Sequence, residues 1–254
     1  MSDEDIVIRV RKLETRFGDQ VVHRDINLDV RRGEILGVVG PSGTGKSVLL
    51  REIVGLEKPT GGTIEFPLHT GAERPVLGVM FQDGALFSTL TLLENVEAPI
   101  REHTQIKPEL RSEIASLKLV MAGLPPDSHH KKPSEISGGM RKRAAVARAL
   151  ALDPELLFLD EPTAGLDPIG AERFDRMVQE LSKALGLTTF LVTHDLDTLY
   201  AVCDRVCVLY EGKVAAIGTI AEITANAKGW VKDYFSGPRG RAAGHGAQAS
   251  ASGG

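Results

Sequence analysis

The sequence has few cysteines, no long apolar run and no excess of positive charge, and each absence excludes a class of protein. Its two cysteines among 254 residues are too few for a disulfide scaffold, and this count fits a reducing compartment. The apolar runs at residues 35–39 and 156–159 are far shorter than the roughly 18–20 residues of a membrane span. The net charge of −4 offers no general basic field, so we expect no nucleic-acid partner.

The acidic start of the chain, MSDED at residues 1–5, also lacks the basic and then apolar pattern of a signal peptide. We therefore expect a cytoplasmic protein whose membrane role, if it has one, comes through partners. The hydrophobic content of 42% and charged content of 25% are ordinary for a globular protein, and the length suits one large domain or two small ones.

Residues 40–47 carry the motif around which the chain is organised, because GPSGTGKS fits the phosphate-binding pattern G-x-x-x-x-G-K-[ST]. Glycines let several backbone N–H groups converge on phosphate oxygens. The lysine can reach the β- and γ-phosphates, and the final serine can ligate Mg²⁺. The apolar run 34–39 predicts a buried strand before the loop, and residues 47–54 predict a helix after it, with its N-terminus at the phosphates. The motif residues are Gly40, Pro41, Ser42, Gly43, Thr44, Gly45, Lys46 and Ser47.

Short strands are predicted on either side of this motif. Residues 6–31 are predicted to form antiparallel strands around a turn at 17–20, because residues 6–10 are β-rich and residues 26–30 alternate at period two. Residues 63–66 and 76–81 are predicted to form two more strands. Phe17 suits either stacking on an adenine base or packing in its turn. Gln82 either faces a ligand or simply ends its strand.

Helical periodicity dominates residues 88–150, which predicts a helical insertion in an otherwise alternating chain. Ser137 followed by Gly138 and Gly139 begins an Ala-rich helix, where an anion site and an ordinary helix cap explain the pattern equally well. The charges of residues 141–143 (RKR), and also His129 and His130 in the preceding polar loop, are predicted to be solvated.

The strand predicted at 156–159 ends in Asp160 and Glu161. Beside a phosphate loop this is the Walker B pattern, in which the first carboxylate lies near Mg²⁺ and the second can polarise a water molecule. The alternative is a pair of acids that cap the next helix. Another β-rich strand ends in His194, which suits either a contact to the γ-phosphate or a structural role.

The C-terminal part is predicted to contain helices near 169–185 and 196–203 and a hairpin at 206–217. A helical region at 219–236 carries aromatic residues near one side, which suit packing on the chain's own core or docking to a partner. Cys203 and Cys207 are interpreted as buried small apolar residues. Residues 237–254 are rich in Gly, Ala and Ser, and this composition predicts a flexible tail.

Taken in order, these motifs resemble those of an ATP-binding cassette (ABC) ATPase over about residues 6–220. The resemblance implies an α/β fold: a P-loop NTPase (RecA-like) core with an antiparallel β subdomain and an α-helical subdomain inserted at about 88–150. The ATPase domain would span 6–236. The signature ISGGM departs from the usual L-S-G-G-Q at both ends. The motifs that carry the resemblance are residues 40–47, Gln82, 136–140, 156–161, 164–167 and His194.

By this resemblance, residues 40–47 hold the triphosphate of ATP and Phe17 stacks on adenine. Glu161 is the general base for the attacking water, and His194 contacts the γ-phosphate. Mg²⁺ is surrounded by Ser47, Gln82 and Asp160. Ser137, Gly138 and Gly139 complete the site of a second copy, so a homodimer of ATPase subunits is expected.

Finer motifs resemble the ATPase of Mce-associated lipid transporters of the maintenance-of-lipid-asymmetry type. They are FQDGALF at 81–87, GGMRKR at 138–143, WVKDYF at 230–235 and GPRGR at 237–241. This family implies phospholipid transport between envelope membranes, with an integral permease, an Mce-domain protein and often a STAS-domain protein as partners. The ATPase would then lie peripherally on the cytoplasmic face of the inner membrane.

Three alternatives compete with this interpretation. One is a cassette for another cargo, such as polar amino acids. A second is a soluble ABC ATPase that acts on nucleic acid or ribosomes, which usually carries two cassettes or long coiled-coil insertions. The third is a regulatory module that does not hydrolyse ATP, and the presence of Glu161 and His194 argues against it.

Overall fold

Strands and helices alternate along most of the chain in a computed structural model that describes residues 5–69 and 74–236. The strands are β1 Ile6–Phe17, β2 Gln20–Arg31, β3 Ile35–Val39, β4 Gly61–Glu65, β5 Leu77–Met80, β6 Leu156–Asp160, β7 Thr188–Val192, β8 Arg205–Tyr210 and β9 Lys213–Gly218. The helices are α1 Lys46–Val54, α2 Leu92–His103, α3 Pro108–Met121, α4 Gly138–Ala149, α5 Pro168–Leu185, α6 Leu196–Val202, α7 Ile220–Asn226 and α8 Gly229–Ser236. The predicted tail at 237–254 lies outside the described residues.

The chain divides into two compact units. The first contains residues up to Arg74 and those from Phe190 onward, and the second is Pro75–Thr189. Each is described below by itself.

The first unit begins with a three-stranded antiparallel sheet in the order β2-β1-β4. Val10 of β1 lies opposite Leu28 of β2 on one side and Ile64 of β4 on the other. Buried and exposed side chains alternate along stretches of β1 and β2, as expected for strands with one face on a core. The phase of the alternation changes where the register shifts, for example between Val10 and Leu13. The predicted strands at 6–31 and their turn after Phe17 are therefore confirmed.

The remaining strands of the first unit carry the phosphate loop. β3 is buried at every position and pairs in parallel with β8, with Val39 opposite Val208. β8 returns as β9 in an antiparallel hairpin whose turn has Gly212 at a φ of 74°, as predicted. The continuous apolar run of β3, which shows no alternation, is typical of a parallel strand covered on both faces.

The C-terminal helices of the first unit pack on this sheet. Val231 and Phe235 of α8 and Ile223 of α7 are buried in one cluster with Val39 and Val208. Trp230 stacks on both Tyr210, at 5.2 Å between ring centroids, and Tyr234, at 4.8 Å. Of the two interpretations left open for the aromatic residues of this region, the structure thus supports packing on the chain's own core.

The second unit combines a parallel strand pair with helices. β5 and β6 lie side by side with Met80 opposite Leu159, so both strands end at the same edge. α2 begins with a capping box at Thr91, whose side chain accepts a hydrogen bond from the backbone N–H of Glu94. α2, α3 and α4 bear out the helical character predicted for residues 88–150. Within the described residues, no helix is long and apolar enough to cross a membrane.

Two minor predictions need correction or qualification. His129 is not a solvated loop residue: it is 3% exposed, and its ring nitrogens lie 3.2 Å from Ser116 Oγ and 3.3 Å from the Leu124 carbonyl oxygen. The loop folds back on α3, which a local reading of composition does not reveal. Cys207 is buried as predicted, whereas Cys203 is only partly buried.

Candidate functional site

The phosphate loop of the first unit joins β3 to α1. Gly45 is the N-cap of α1 and has a left-handed backbone, with φ 89° and ψ 12°. A Cβ at Gly40, whose φ is 153°, would lie 2.1 Å from the Leu209 carbonyl oxygen, so glycine is required there for close packing. The loop therefore exposes a helix N-terminus, where backbone N–H groups favour an anion.

Lys46, the lysine of the loop, contacts the backbone of the loop itself. Lys46 Nζ donates hydrogen bonds to the carbonyl oxygens of Gly40, at 2.9 Å, and Pro41, at 3.0 Å. The Thr44 hydroxyl donates to the same Pro41 oxygen at 2.8 Å. These contacts hold the ammonium group at the mouth of the loop, where it can meet a phosphate.

His194 lies near the loop within the first unit. The preceding residue, Thr193, donates its backbone N–H to the Val38 carbonyl oxygen at 3.2 Å, which sets the end of β7 beside the end of β3. The His194 side chain is exposed, and its backbone oxygen accepts a hydrogen bond from the Tyr234 hydroxyl at 3.3 Å. The structure thus brings His194 to the strand end from which the phosphate loop departs.

Phe17 ends β1 in the same unit and is 49% exposed. A phenyl ring this exposed contributes little to a core, so it is available to stack on a flat ligand. The exposure argues against packing of Phe17 in its turn, and stacking on adenine stays a prediction.

In the second unit, two carboxylates follow one another at the end of β6. Asp160 is its last residue and is 2% exposed. Glu161 comes next with a φ of 48°, a left-handed backbone that is uncommon outside glycine and costs roughly 1 kcal/mol. Such a conformation turns the chain sharply after the strand, where Glu161 is partly exposed and Asp160 is buried.

Gln82 lies at the same strand edge as these carboxylates. It comes two residues after the end of β5, one residue beyond the strand predicted for 76–81, and its side chain is exposed. The segment after it is held by the buried Asn95, which accepts from the Phe87 backbone N–H at 2.7 Å and donates to the Phe87 carbonyl oxygen at 3.1 Å.

Lys142 connects the segments that follow β5 and β6 in the second unit. Its Nζ donates to the carbonyl oxygen of Gln82 and, at 3.3 Å, to that of Glu161. Burial lowers the pKa of Lys142, although the carboxylates of Asp83, Glu161 and Asp160 act in the opposite direction.

The prediction of a solvated face at 141–143 was wrong for Lys142, because the helix that carries it packs against both strand ends. It was also wrong for Arg143, which is partly buried and donates to the Ala122 carbonyl oxygen at 3.3 Å. Arg141 is exposed as predicted.

The predicted signature forms the start of α4. Ser137 is its N-cap, and its hydroxyl oxygen accepts from the Met140 backbone N–H at 3.3 Å. Gly138 and Gly139 form the first turn of the helix. A cavity of about 400 Å³ lies between this helix start, Gln82 and residues 164–166. The helix N-terminus is therefore open to a ligand or to another chain.

Sequence reasoning missed two residues that make polar contacts to the predicted site residues. Lys142 was misplaced, and His23 of β2 was not singled out, although its ring contacts the phosphate loop at the Gly45 carbonyl oxygen, 3.1 Å away. The alternation of β2 gave no signal for it, because His23 shares the sequence phase of Asp25 and Asn27, and the buried phase changes next to Asp25, whose φ is 56°.

Comparisons with known proteins agree with the motifs. The ABC transporter family profile matches residues 23–164. The intermembrane phospholipid transport system ATP-binding protein MlaF of Haemophilus influenzae is 38% identical over 85% of this chain and 85% of its own. The probable ribonucleotide transport ATP-binding protein mkl of Mycobacterium leprae is 36% identical over 92% of this chain and 70% of its own.

A solved structure shows the same fold. The ATP-binding cassette MJ0796, in a dimeric post-hydrolysis state bound to ADP and Pi, superposes with a TM-score of 0.75 at 30% identity, over 84% of this chain and 98% of that one. The predicted α/β fold class is thereby confirmed. The chain belongs to the ABC transporter family, as one of its ATP-binding and ATP-hydrolysing proteins.

Proposed function

We propose that the candidate site residues of the two units have the roles in ATP hydrolysis that the family resemblance implies. In the first unit, residues 40–47 bind the triphosphate, Phe17 stacks on adenine and His194 contacts the γ-phosphate. In the second unit, Glu161 acts as general base. The open loop, the exposed Phe17 ring and the carboxylates at the end of β6 support these assignments.

Mg²⁺ is proposed to accompany the nucleotide, with Ser47, Gln82 and Asp160 as the residues that hold it. Their donors are a hydroxyl, an amide oxygen and a carboxylate, which is the oxygen-rich set that Mg²⁺ prefers. When bound, the ion neutralises charge that develops on the phosphate oxygens. Asp160 is buried and keeps its carboxylate at a fixed strand end, which suits a ligand to a small cation.

In the proposed reaction, water attacks the γ-phosphorus while the bond from that phosphorus to the β–γ bridging oxygen breaks. Glu161 takes the proton that the water loses. Lys142 holds the backbone oxygen of Glu161, and this contact keeps the residue in its left-handed conformation. The γ-phosphate passes to water, and ADP is the other product.

Two copies of the chain are proposed to act together. The start of α4, with Ser137, Gly138 and Gly139, presents the positive end of a helix dipole that needs an anion. The γ-phosphate bound by a second copy supplies one. The dimeric state of the solved MJ0796 cassette supports this arrangement.

The proposed cargo is phospholipid. The observation that carries this proposal is the match to MlaF, a protein named for intermembrane phospholipid transport, over the same large share of both chains. The proposed partners are an integral permease, a periplasmic Mce-domain protein and a STAS-domain protein. The ATPase itself is proposed to lie peripherally on the cytoplasmic face of the inner membrane. The exposed Phe87 ring, on a segment that Asn95 fixes, offers the permease an apolar contact.

A second candidate cargo is a ribonucleotide, since the mycobacterial relative is named for its transport. The cassette binds ATP rather than the cargo, so its own residues do not decide between the two. The decision belongs to an experiment on the assembled transporter.

The test is purification of the tagged chain from detergent-solubilised membranes, followed by reconstitution of whatever permease co-purifies. We expect ATP-dependent transfer of labelled phospholipid from these vesicles to acceptor vesicles. The Glu161→Gln chain serves as the matched control and should assemble without supporting transfer. ATP-dependent uptake of labelled ribonucleotide without lipid transfer would favour the second candidate. A chain that stays monomeric with ATP and co-purifies only with RNA would contradict transport altogether.

A further inference from the structure

A buried cluster of polar side chains lies directly beneath the phosphate loop. His23 of β2, Thr15 of β1 and Glu52 of α1 are 0%, 1% and 3% exposed. His23 Nδ1 lies 2.8 Å from Thr15 Oγ1 and 3.2 Å from Glu52 Oε2. His23 Nε2 lies 3.1 Å from the Gly45 carbonyl oxygen. Burying three polar groups together is costly unless they satisfy one another.

The hydrogen bonds of this cluster define where its protons lie. A carbonyl oxygen only accepts, so His23 Nε2 must carry a proton and donate it to Gly45. Thr15 has one hydroxyl proton, which it donates to Glu52 Oε1 at 2.6 Å. His23 is thus tied to the loop through Nε2 and to Thr15 and Glu52 through Nδ1.

The contact to Gly45 fixes one peptide unit of the loop. Its carbonyl oxygen also accepts from the Leu49 backbone N–H at 2.8 Å, the first bond of the α1 ladder. In a trans peptide the next N–H points opposite to the carbonyl, so the Lys46 N–H is aimed out of the helix N-terminus. His23 thereby orients the backbone donor of Lys46 toward the space where a phosphate binds.

The loop is shaped to admit this ring. A Cβ on Gly45 would lie 2.3 Å from His23 Nε2 and 2.5 Å from Val22 Cγ1. Gly45 therefore serves a second purpose besides its left-handed backbone, since it lets a buried donor reach the loop carbonyl.

We propose that His23, held by Glu52 and Thr15, is a positioning residue for the phosphate loop. It touches neither the nucleotide nor the reacting atoms, and it acts through the Gly45–Lys46 peptide. The proposal rests on the role in ATP binding given above to residues 40–47. Loss of the donor at Nε2 should weaken nucleotide binding about tenfold, which corresponds to about 1.4 kcal/mol.

The test compares two chains that differ at one side chain, which has an N–H donor in one chain and none in the other. In a Glu52→Gln background, which removes the buried charge from both, His23 is replaced by Gln or by Met. The two side chains have the same length, but Gln keeps an N–H donor where Nε2 lies and Met has none. Affinity for a non-hydrolysable ATP analogue with Mg²⁺ is measured by titration, and the thermal midpoint of unfolding by calorimetry.

The expected result is that H23M/E52Q binds the analogue about tenfold more weakly than H23Q/E52Q, at similar thermal midpoints. The matched control is R205M/E34Q, which removes another buried ion pair, 3.0 Å long, at the opposite end of β3. The control should bind the analogue like the wild type. Equal affinities of the Met and Gln chains, or an equal loss in the control, would overturn the proposal. A wild-type chain that does not bind the analogue would instead refute the proposed function.

A second measurement needs neither a variant nor a nucleotide. In ¹⁵N NMR of the wild-type imidazole, the proposal requires a protonated Nε2 whose proton exchanges slowly with water. An unprotonated Nε2 in the folded chain would overturn it, whatever the nucleotide affinity.

Discussion

Replacement of Lys142 by Met should slow ATP hydrolysis while leaving nucleotide binding nearly unchanged. The ammonium group of Lys142 holds the backbone oxygens of Gln82 and Glu161 together. Met keeps the length and the apolar stem of the side chain, so the change removes the charge and its hydrogen bonds. A hydrogen bond with a charged partner contributes about 1.5–3 kcal/mol. If that energy keeps Glu161 in place for the reaction, kcat should fall about ten- to a hundredfold.

The assay is steady-state release of phosphate over a range of ATP concentrations. We expect KM to change less than about threefold, because Lys142 contacts the strand ends of the second unit rather than the loop that binds ATP. Desolvation of the ammonium group, which lowers the pKa of Lys142, offsets part of the hydrogen-bond energy, so the loss of stability should be smaller than that energy. Lys142→Arg keeps a cation and should recover part of the rate.

Lys131→Met is the matched control, because Lys131 belongs to the same unit and is exposed. It should hydrolyse ATP at the wild-type rate. A K142M chain with an unchanged kcat would refute the positioning role of the lysine. A large rise in KM with kcat unchanged would equally refute it, since the lysine would then act on binding.

Three further predictions concern other features of the first unit. Gly45→Ala should lower the free energy of unfolding, measured in urea, by about 1–2 kcal/mol or more. The reason is that an Ala is strained at a φ of 89° and its Cβ would clash with His23. An unchanged free energy would contradict the loop geometry. Phe17→Ala should weaken ATP binding about fivefold or more with little effect on unfolding, whereas Phe17→Trp should keep the affinity. An Ala chain that binds ATP as tightly as the wild type would exclude stacking. Burial raises the pKa of the Cys207 thiol to about 12, so the thiol stays neutral at about pH 8.5. Cys207 should therefore resist iodoacetamide while Cys203 reacts. Peptide mapping that finds Cys207 modified in the folded chain would contradict its burial.

The parts of the fold that follow from local pattern were predictable. The buried run before Gly40, the glycine at the 211–212 turn and the serine that caps α4 each need only their own neighbours in sequence. The strand at 26–30 is equally local, because its alternation shows which face is buried. Residues before it are not, because the buried phase changes next to Asp25 and leaves His23 buried. These features sufficed to place most candidate residues on the right element.

What sequence reasoning missed depends on contacts between distant segments. Lys142 looks like a surface charge on its helix until the strand ends at Gln82 and Glu161 are packed against it. His23 and Glu52 are far apart in the chain, and neither suggests a buried pair alone. The pair forms only when β2 and α1 are brought together in the folded first unit.

The measurement that tests the central claim most directly is ATP turnover and assembly of the Glu161→Gln chain. If Glu161 is the general base of an ATPase that works as a dimer, this chain binds ATP with Mg²⁺ at close to wild-type affinity and releases almost no phosphate. It should also elute as a dimer in ATP on a sizing column calibrated by light scattering. Phosphate release at the wild-type rate by the Glu161→Gln chain would contradict the account.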